Sequence, residues 1–294
     1  NYSKIFIHGK DSTSLLRRLV TNKIVDLKVL EWVKTLFVNS DGNIIDKTLL
    51  LKFEDYFILV GANRDTGKLY KWIKRFIIND DIALSNSDDD YSVFEIMGEQ
   101  ATSYMSMVLG DKFNELNDNN ILRVQIDDFF VHGVRINDGK RIDKYIVIVD
   151  SINAVKTLKI MQEQKSVFDF GMIGESAFNI YRIQKGIPIA PNELNDSVNP
   201  REVYLESEIS SQKHDYIGHE IIEDNKDELG RLVQLKFEDT INDCKLPMAI
   251  LDSSNKEVGV VTSVAISDVI DKPIGLGFLD SSYNLNGNSY FISD

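Results

Sequence analysis

The chain has 294 residues, 43% of them hydrophobic and 27% charged, enough for two domains with cores of their own. Its net charge of −13, with no run of four Lys or Arg, argues against direct contact with nucleic-acid backbones and against docking on an anionic membrane. One cysteine, Cys244, rules out an intrachain disulfide and a cysteine-built zinc or cluster site; no apolar run has the length of a membrane span, and Asn1-Tyr2-Ser3-Lys4 lacks a signal-peptide core, so a reducing cytoplasm is expected.

The first elements form a repeat. Residues 5–14 read Ile-Phe-Ile-His-Gly-Lys-Asp-Ser-Thr-Ser, and residues 94–103 read Phe-Glu-Ile-Met-Gly-Glu-Gln-Ala-Thr-Ser. Ile7, Gly9, Thr13 and Ser14 match Ile96, Gly98, Thr102 and Ser103 at one constant offset. Each copy predicts a strand, a glycine turn and a helix, with Leu15, Leu16 and Leu19, or Met105, Val108 and Leu109, on the apolar face. Strands are expected at 34–39, 44–52 and 56–61, then a helix with Leu69, Trp72, Ile73, Phe76 and Ile77 on one side. The second copy continues with strands near 121–126, 128–136 and 144–149, and a helix presenting Ile152, Val155 and Leu158. Two β-α-β-β-β-α units predict two ferredoxin-like subdomains. Polar stretches at Ser85–Asp90 and Asn114–Asn120 read as solvated loops.

A helix is expected over 174–186, stopped by Pro188 and Pro191. The irregular stretch 187–220 is long for a compact domain, and such loops are usually functional. From about residue 230 short strands (232–235, 248–251, 258–263, 274–278) predict a small barrel or jelly-roll-like cap. There is no P-loop and no Gly-x-Ser-x-Gly, and Gly275-Leu276-Gly277 precedes no helix, which removes the common nucleotide-binding and hydrolase signatures.

Four segments, in order, carry a resemblance. Phe37 to Lys47 contains Asp41-Gly42-Asn43-Ile44-Ile45-Asp46-Lys47, similar to the Gly-rich turn and Ile-Ile-Asp-Asp of the glycine-cleavage T-protein. Tyr181-Arg182-Ile183-Gln184-Lys185-Gly186-Ile187-Pro188 resembles the superfamily's Arg-Leu-Glu-Ala-Gly motif, with the Pro of its YgfZ-type branch. Lys213-His214-Asp215-Tyr216-Ile217-Gly218-His219-Glu220 resembles the YgfZ-type signature Lys-Gly-Cys-Tyr-x-Gly-Gln-Glu. Val258 to Ser263 and Ile274 to Gly277 resemble segments of the T-protein's barrel. The resemblance implies an α+β fold in which two duplicated ferredoxin-like subdomains, about 1–88 and 89–225, build a T-protein-like folate-binding region over 1–225. A small β-barrel over 226–294 follows, and the lobes surround a central folate channel.

The resemblance also implies site residues. Lys47 occupies the position of the family's catalytic Asp, and Asp46 matches the Asp before it. A carboxylate accepts a proton or stabilises an iminium cation, whereas an ammonium repels one. Asp46 is a replacement candidate only if a bulge turns it to the face of Lys47, because strand neighbours point to opposite sides. Tyr145 falls near the pterin-binding Glu of the family. Arg182 matches the Arg that meets the folate; a fork of N–H donors suits the carboxylates of a glutamate tail, and pairing with Glu193 or Glu202 is the structural alternative. Lys213, Asp215 and Tyr216 are ligand-contact candidates: a positive charge, the residue standing where the YgfZ-type signature has Cys, and a ring able to stack. His214, Asp215, His219 and Glu220 are dense in potential metal ligands, but the spacing favours a structural turn at Gly218, and no metal site is assigned.

Three readings follow. The first is a tetrahydrofolate-binding YgfZ-type accessory factor for iron–sulfur enzymes, with those enzymes as partners. The second is a tetrahydrofolate-dependent one-carbon transferase of the aminomethyltransferase type, and the third is a scaffold that has lost the ligand. Whether the chain is an enzyme stays open at this point, because Lys47 removes the family's acid while the rest of the pattern is kept.

Overall fold

In a computed structural model the described residues are 2–62, 66–137, 143–163, 167–224, 230–239, 245–267, 271–283 and 287–292; Cys244 lies outside them. The chain divides into two compact units, Asn1–Thr35 with Lys47–Met172, and Leu36–Asp46 with Ile173–Asp294.

The first unit holds both repeats. The first copy runs β1 (Ser3–His8), α1 (Ser12–Leu19), β2 (Glu31–Val38), β3 (Ile44–Lys52), β4 (Tyr56–Gly61), α2 (Thr66–Lys74) and β5 (Ala83–Asn86). The second runs β6 (Tyr91–Gly98), α3 (Ala101–Leu109), β7 (Ile121–Ile126), β8 (Phe129–Ile136), β9 (Asp143–Asp150) and α4 (Ala154–Glu163). The sheets have the orders β2-β3-β4-β1-β5 and β6-β9-β8-β7, so the repeated part pairs identically in both copies. The repeated glycine explains itself at Gly9. Its φ is +123°, and a Cβ there would lie 2.1 Å from the carbonyl oxygen of Asp81. Gly98 turns the second copy with φ +151°.

Alternation along the strands gives each sheet an inner and an outer face. On the inner faces, Leu51, Phe53, Ile58 and Val60 of the first sheet share a buried cluster with Ile121, Val134, Ile136, Ile146 and Ile148 of the second. Outside the second sheet, Tyr145, Val147 and Val149 pack against Tyr104, Met105 and Leu109 of α3 and Met161 of α4.

Two helical faces differ from expectation. The first turn of the last helix of the unit is 3₁₀ over Ser151–Asn153, so α4 begins at Ala154 and its register is rotated. Ile152 and Val155 are therefore 91% and 66% exposed, and Thr157 and Met161 are the buried residues. α2 ends at Lys74, which leaves Phe76 and Ile77 beyond it while Leu69 and Ile73 are buried.

The second unit combines the tip of the β2–β3 hairpin with α5 (Glu175–Gln184), an irregular run, α6 (His219–Asp224) and a C-terminal antiparallel sheet. That sheet contains β10 (Arg231–Lys236), β11 (Met248–Leu251), β12 (Glu257–Ser267), β13 (Lys272–Leu279) and β14 (Phe291–Ile292), in the order β10-β13-β12-β11-β14. Among the described residues no pairing closes it into a barrel. Residues 173–224 group with this sheet rather than with the repeats, and α5 supplies the reason. Gln234 of β10 donates Nε2 to the carbonyls of Ile183 and Gln184, both at 2.9 Å, which satisfies the last turn of α5. Gln184 donates to Ser267 Oγ of β12 at 2.7 Å. No helix among the described residues is long and apolar enough to cross a membrane.

Candidate functional site

The α5 motif centres on Arg182, which is 1% exposed and has a partner at each guanidinium nitrogen. Nε donates to Asn179 Oδ1 at 2.7 Å, Nη1 to Glu193 Oε2 at 3.2 Å, and Nη2 to Ser263 Oγ at 2.7 Å. Glu193, with no exposed surface, receives four donors. Thr262 Oγ1 and Ser263 Oγ donate to Oε1 at 2.7 and 2.6 Å; Arg182 and the amide of Ile189 donate to Oε2, the latter at 3.1 Å. Two consecutive side chains reach one oxygen because the β12–β13 register shifts between Val261 and Ser263, a bulge that breaks the strict alternation at Thr262. Burial pulls the guanidinium pKa below its ordinary value, and Glu193 opposes that shift. The arrangement is the structural pairing with Glu193 that the sequence allowed. Its chemistry is rigidity: it fixes α5, the 189–193 loop and the C-terminal sheet to one another.

The 213–220 segment folds as a turn against the hairpin tip, so two of the resembling segments meet within the second unit. Gly218 has φ +79°, and a Cβ on it would lie 2.3 Å from the carbonyl oxygen of Asn39. The tip is also held by the amide of Ile44, which donates to Val198 O at 2.9 Å. Lys213 is 5% exposed; its Nζ is 3.3 Å from Asp215 Oδ1 and 4.9 Å from the centre of the Tyr216 ring. Tyr216 is buried, its hydroxyl has no hydrogen-bond partner among the described residues, and burial pushes its pKa up to about 12. His214 Nδ1 and His219 Nε2 are 2.8 Å apart, and the His219 ring stands edge-on to Tyr216. No group of three potential metal ligands occurs among the described residues.

In the first unit, Tyr145 faces outward from the second sheet and is fully buried under α3. Thr102 Oγ1 donates to Asp143 Oδ2 at 2.6 Å, so the Tyr145 hydroxyl, 2.9 Å away, donates to Thr102 Oγ1. Burial would raise the Asp143 pKa, but the Thr102 hydroxyl and the Arg135 guanidinium hold it below its ordinary value. Lys47 is half-buried and lies on the face of β3 that carries Leu49 and Leu51, whereas Asp46 is 3% exposed and alternates to the other face. The β3–β4 register runs without a shift from Thr48 to Lys52.

A further group was not anticipated from the sequence. On the inner faces of the first unit, the Tyr2 hydroxyl donates to Glu95 Oε2, and Lys144 Nζ lies 2.6 Å from Glu95 Oε1. The signal was present: Glu95 interrupts an apolar strand between Phe94 and Ile96. Burial, then the Glu95 charge, raise the Tyr2 pKa well above its ordinary value, so the phenol stays protonated.

Comparison with known proteins agrees along the whole length. Residues 1–213 match the family model described as the GCVT N-terminal domain, and residues 231–293 match the glycine cleavage T-protein C-terminal barrel domain. The chain is similar to the aminomethyltransferase of Thermoanaerobacter pseudethanolicus, 24% identical over 291 residues that cover 97% of this chain and 78% of that protein. The aminomethyltransferase of Chloroherpeton thalassium is 25% identical over 304 residues, covering 98% and 79%. The crystal structure of glycine cleavage system aminomethyltransferase T from Bartonella henselae shares the fold, with a TM-score of 0.83 at 16% identity over 100% of this chain and 80% of that one. The chain belongs to the glycine-cleavage T-protein family.

Proposed function

We propose that this chain binds a reduced folate and is a one-carbon protein of the aminomethyltransferase type in which Lys47 stands in place of the acid of the family mechanism. The observation that supports this is the extent of the likeness: both family models match in order, and relatives named aminomethyltransferase align over 97% of the chain. The residues present suit a pterin in kind. The inner face of the first unit joins an apolar wall to Tyr2, Glu95 and Lys144, a pole of donors and acceptors such as a flat heterocycle with polar edges requires. A bound tetrahydrofolate would supply the nitrogen that carries the one-carbon unit; the protein supplies orientation and charge. Arg182 contributes by holding α5 to the C-terminal sheet.

A carboxylate at position 47 would stabilise a developing cation, and the ammonium opposes it. Purified protein is therefore expected to form methylene-tetrahydrofolate from an aminomethylated carrier very slowly, and Lys47→Asp to raise that rate by about a hundredfold. A variant that still binds folate but is no faster than the natural protein would count against this role of position 47.

A second reading, an accessory factor for iron–sulfur enzymes of the YgfZ type, is favoured by the Lys213 to Glu220 segment. It would be abandoned if deletion of the gene left iron–sulfur enzyme activity unchanged.

A further inference from the structure

The turn at 213–220 holds a pair that its sequence spacing did not promise. His214 and His219 are five positions apart, which would set them on different faces of a helix. The chain is not helical between them. Gly218 reverses it with φ +79°, the amide of His219 donates to Tyr216 O at 3.3 Å, and α6 starts only at His219. The reversal brings His214 Nδ1 to 2.8 Å from His219 Nε2, with the ring centres 4.8 Å apart and the ring planes at 77°. His214 is exposed and His219 half-buried, so one ring meets solvent and the other is seated. The seat is Tyr216, whose ring centre lies 5.2 Å from that of His219 at an interplanar angle of 85°.

At this distance the pair shares one proton: one nitrogen donates it and the other offers a lone pair. A metal ion takes both lone pairs instead, and the separation narrows which ion. With metal–nitrogen bonds of about 2.0–2.1 Å, two imidazole nitrogens lie about 2.9 Å apart at a right angle and about 3.3 Å apart at the tetrahedral angle. The 2.8 Å separation matches the right angle, the geometry of square-planar Cu²⁺ and Ni²⁺. The ion sits off the line joining the nitrogens, so one ring must turn, and the exposed ring of His214 is the one placed to do so. The cations of the same region are neutralised. Lys213 Nζ is 3.3 Å from Asp215 Oδ1, Arg201 Nη2 is 3.3 Å from Glu223 Oε1, and Glu220 adds a carboxylate next to His219.

We infer that His214 and His219 form a two-imidazole site for a divalent transition ion of square-planar preference, with water or an incoming ligand in the remaining positions. The site uses residues of the second unit alone and does not depend on the proposed folate role. The Gly218 turn does the positioning, and neither imidazole by itself holds the ion.

Calorimetric titration of the metal-free protein with CuCl2, NiCl2 and ZnCl2 in a non-coordinating buffer, joined to electron paramagnetic resonance of the Cu²⁺ form, tests it. One site is expected, tighter for Cu²⁺ than for Ni²⁺ or Zn²⁺, with two imidazole nitrogens in the copper spectrum. His214→Gln and His219→Gln should each weaken Cu²⁺ binding by at least about tenfold and leave one imidazole nitrogen. His214 is exposed, so its variant keeps the fold, which circular dichroism checks. His8→Gln, which alters an exposed imidazole of the first unit held by Asp55 O, should change nothing. No Cu²⁺ binding at concentrations on the order of 0.1 mM, an affinity unchanged in either His214→Gln or His219→Gln, or a single imidazole nitrogen in the natural protein would overturn the inference.

Discussion

Arg182→Ala should lower the free energy of unfolding by about 3–5 kcal/mol, because it leaves the Glu193 carboxylate buried without its cation. Glu193 has no exposed surface and cannot recover water without opening the junction between the 189–193 loop and β12. Three donors remain in the variant, from Thr262, Ser263 and Ile189, but none carries a charge. The loss also frees Asn179 Oδ1 on α5. Arg182→Lys should fall between, since one ammonium cannot reproduce the three separate contacts of the fork. Adding Glu193→Gln to Arg182→Ala should restore part of the loss, because the orphaned charge is then gone. Urea unfolding followed by circular dichroism measures all four proteins. A loss below about 1 kcal/mol in Arg182→Ala would mean that the network adjusts and is not the clamp described.

The second large effect is acid sensitivity through His132. This residue sits on β8 opposite Arg123, with its ring edge-on to Phe53 at 5.0 Å. Burial first, then the Arg123 charge, lower its pKa from 6.5 to about 4. The unfolded chain therefore takes up a proton that the folded chain refuses. Stability from this residue is intact above about pH 6.5, declines as pH falls, and is fully lost below about pH 4, a total of about 3 kcal/mol. His132→Phe removes the titration and should flatten the stability profile over that interval by the same amount. Parallel profiles for the natural protein and the variant would show that His132 does not carry the effect.

Much of the first unit was legible because its signals are local. The Gly9 and Gly98 turns, the alternation of the strands and the spacing of Leu15, Leu16 and Leu19 each involve neighbours in sequence. The order of elements repeats, and the sheets pair as the repeat requires. The register of α4 was not legible, since nothing in Ser151–Asn153 distinguishes a 3₁₀ turn from the first turn of an α-helix. α6 was hidden for a different reason: only six residues long, it is too short to show a period. At the site, Arg182 and its pairing with Glu193 could be named from residue types. Thr262 and Ser263 could not, because they reach Glu193 only through a bulge some 70 residues away in sequence. Tyr2, Glu95 and Lys144 escaped for the same reason: Tyr2 and Glu95 meet across 93 positions, and only the packing of two sheets brings them together. Lys47 was informative without any structure only through the resemblance, which implies an acid at that position. The fold adds the face of β3 on which Lys47 lies, the one that carries Leu49 and Leu51.

The proposed binding of a reduced folate, with Lys47 where the resemblance implies an acid, has one most direct test. The most direct measurement is calorimetric titration of the natural protein with 5-formyl-tetrahydrofolate, paired with its unfolding midpoint at saturation. Binding with a dissociation constant on the order of micromolar, together with a stabilisation of about 2.7 kcal/mol at a hundredfold excess over that constant, is the predicted result. No heat of binding and no shift of the midpoint at millimolar ligand would contradict it, and would leave a protein that keeps the family fold without the family ligand.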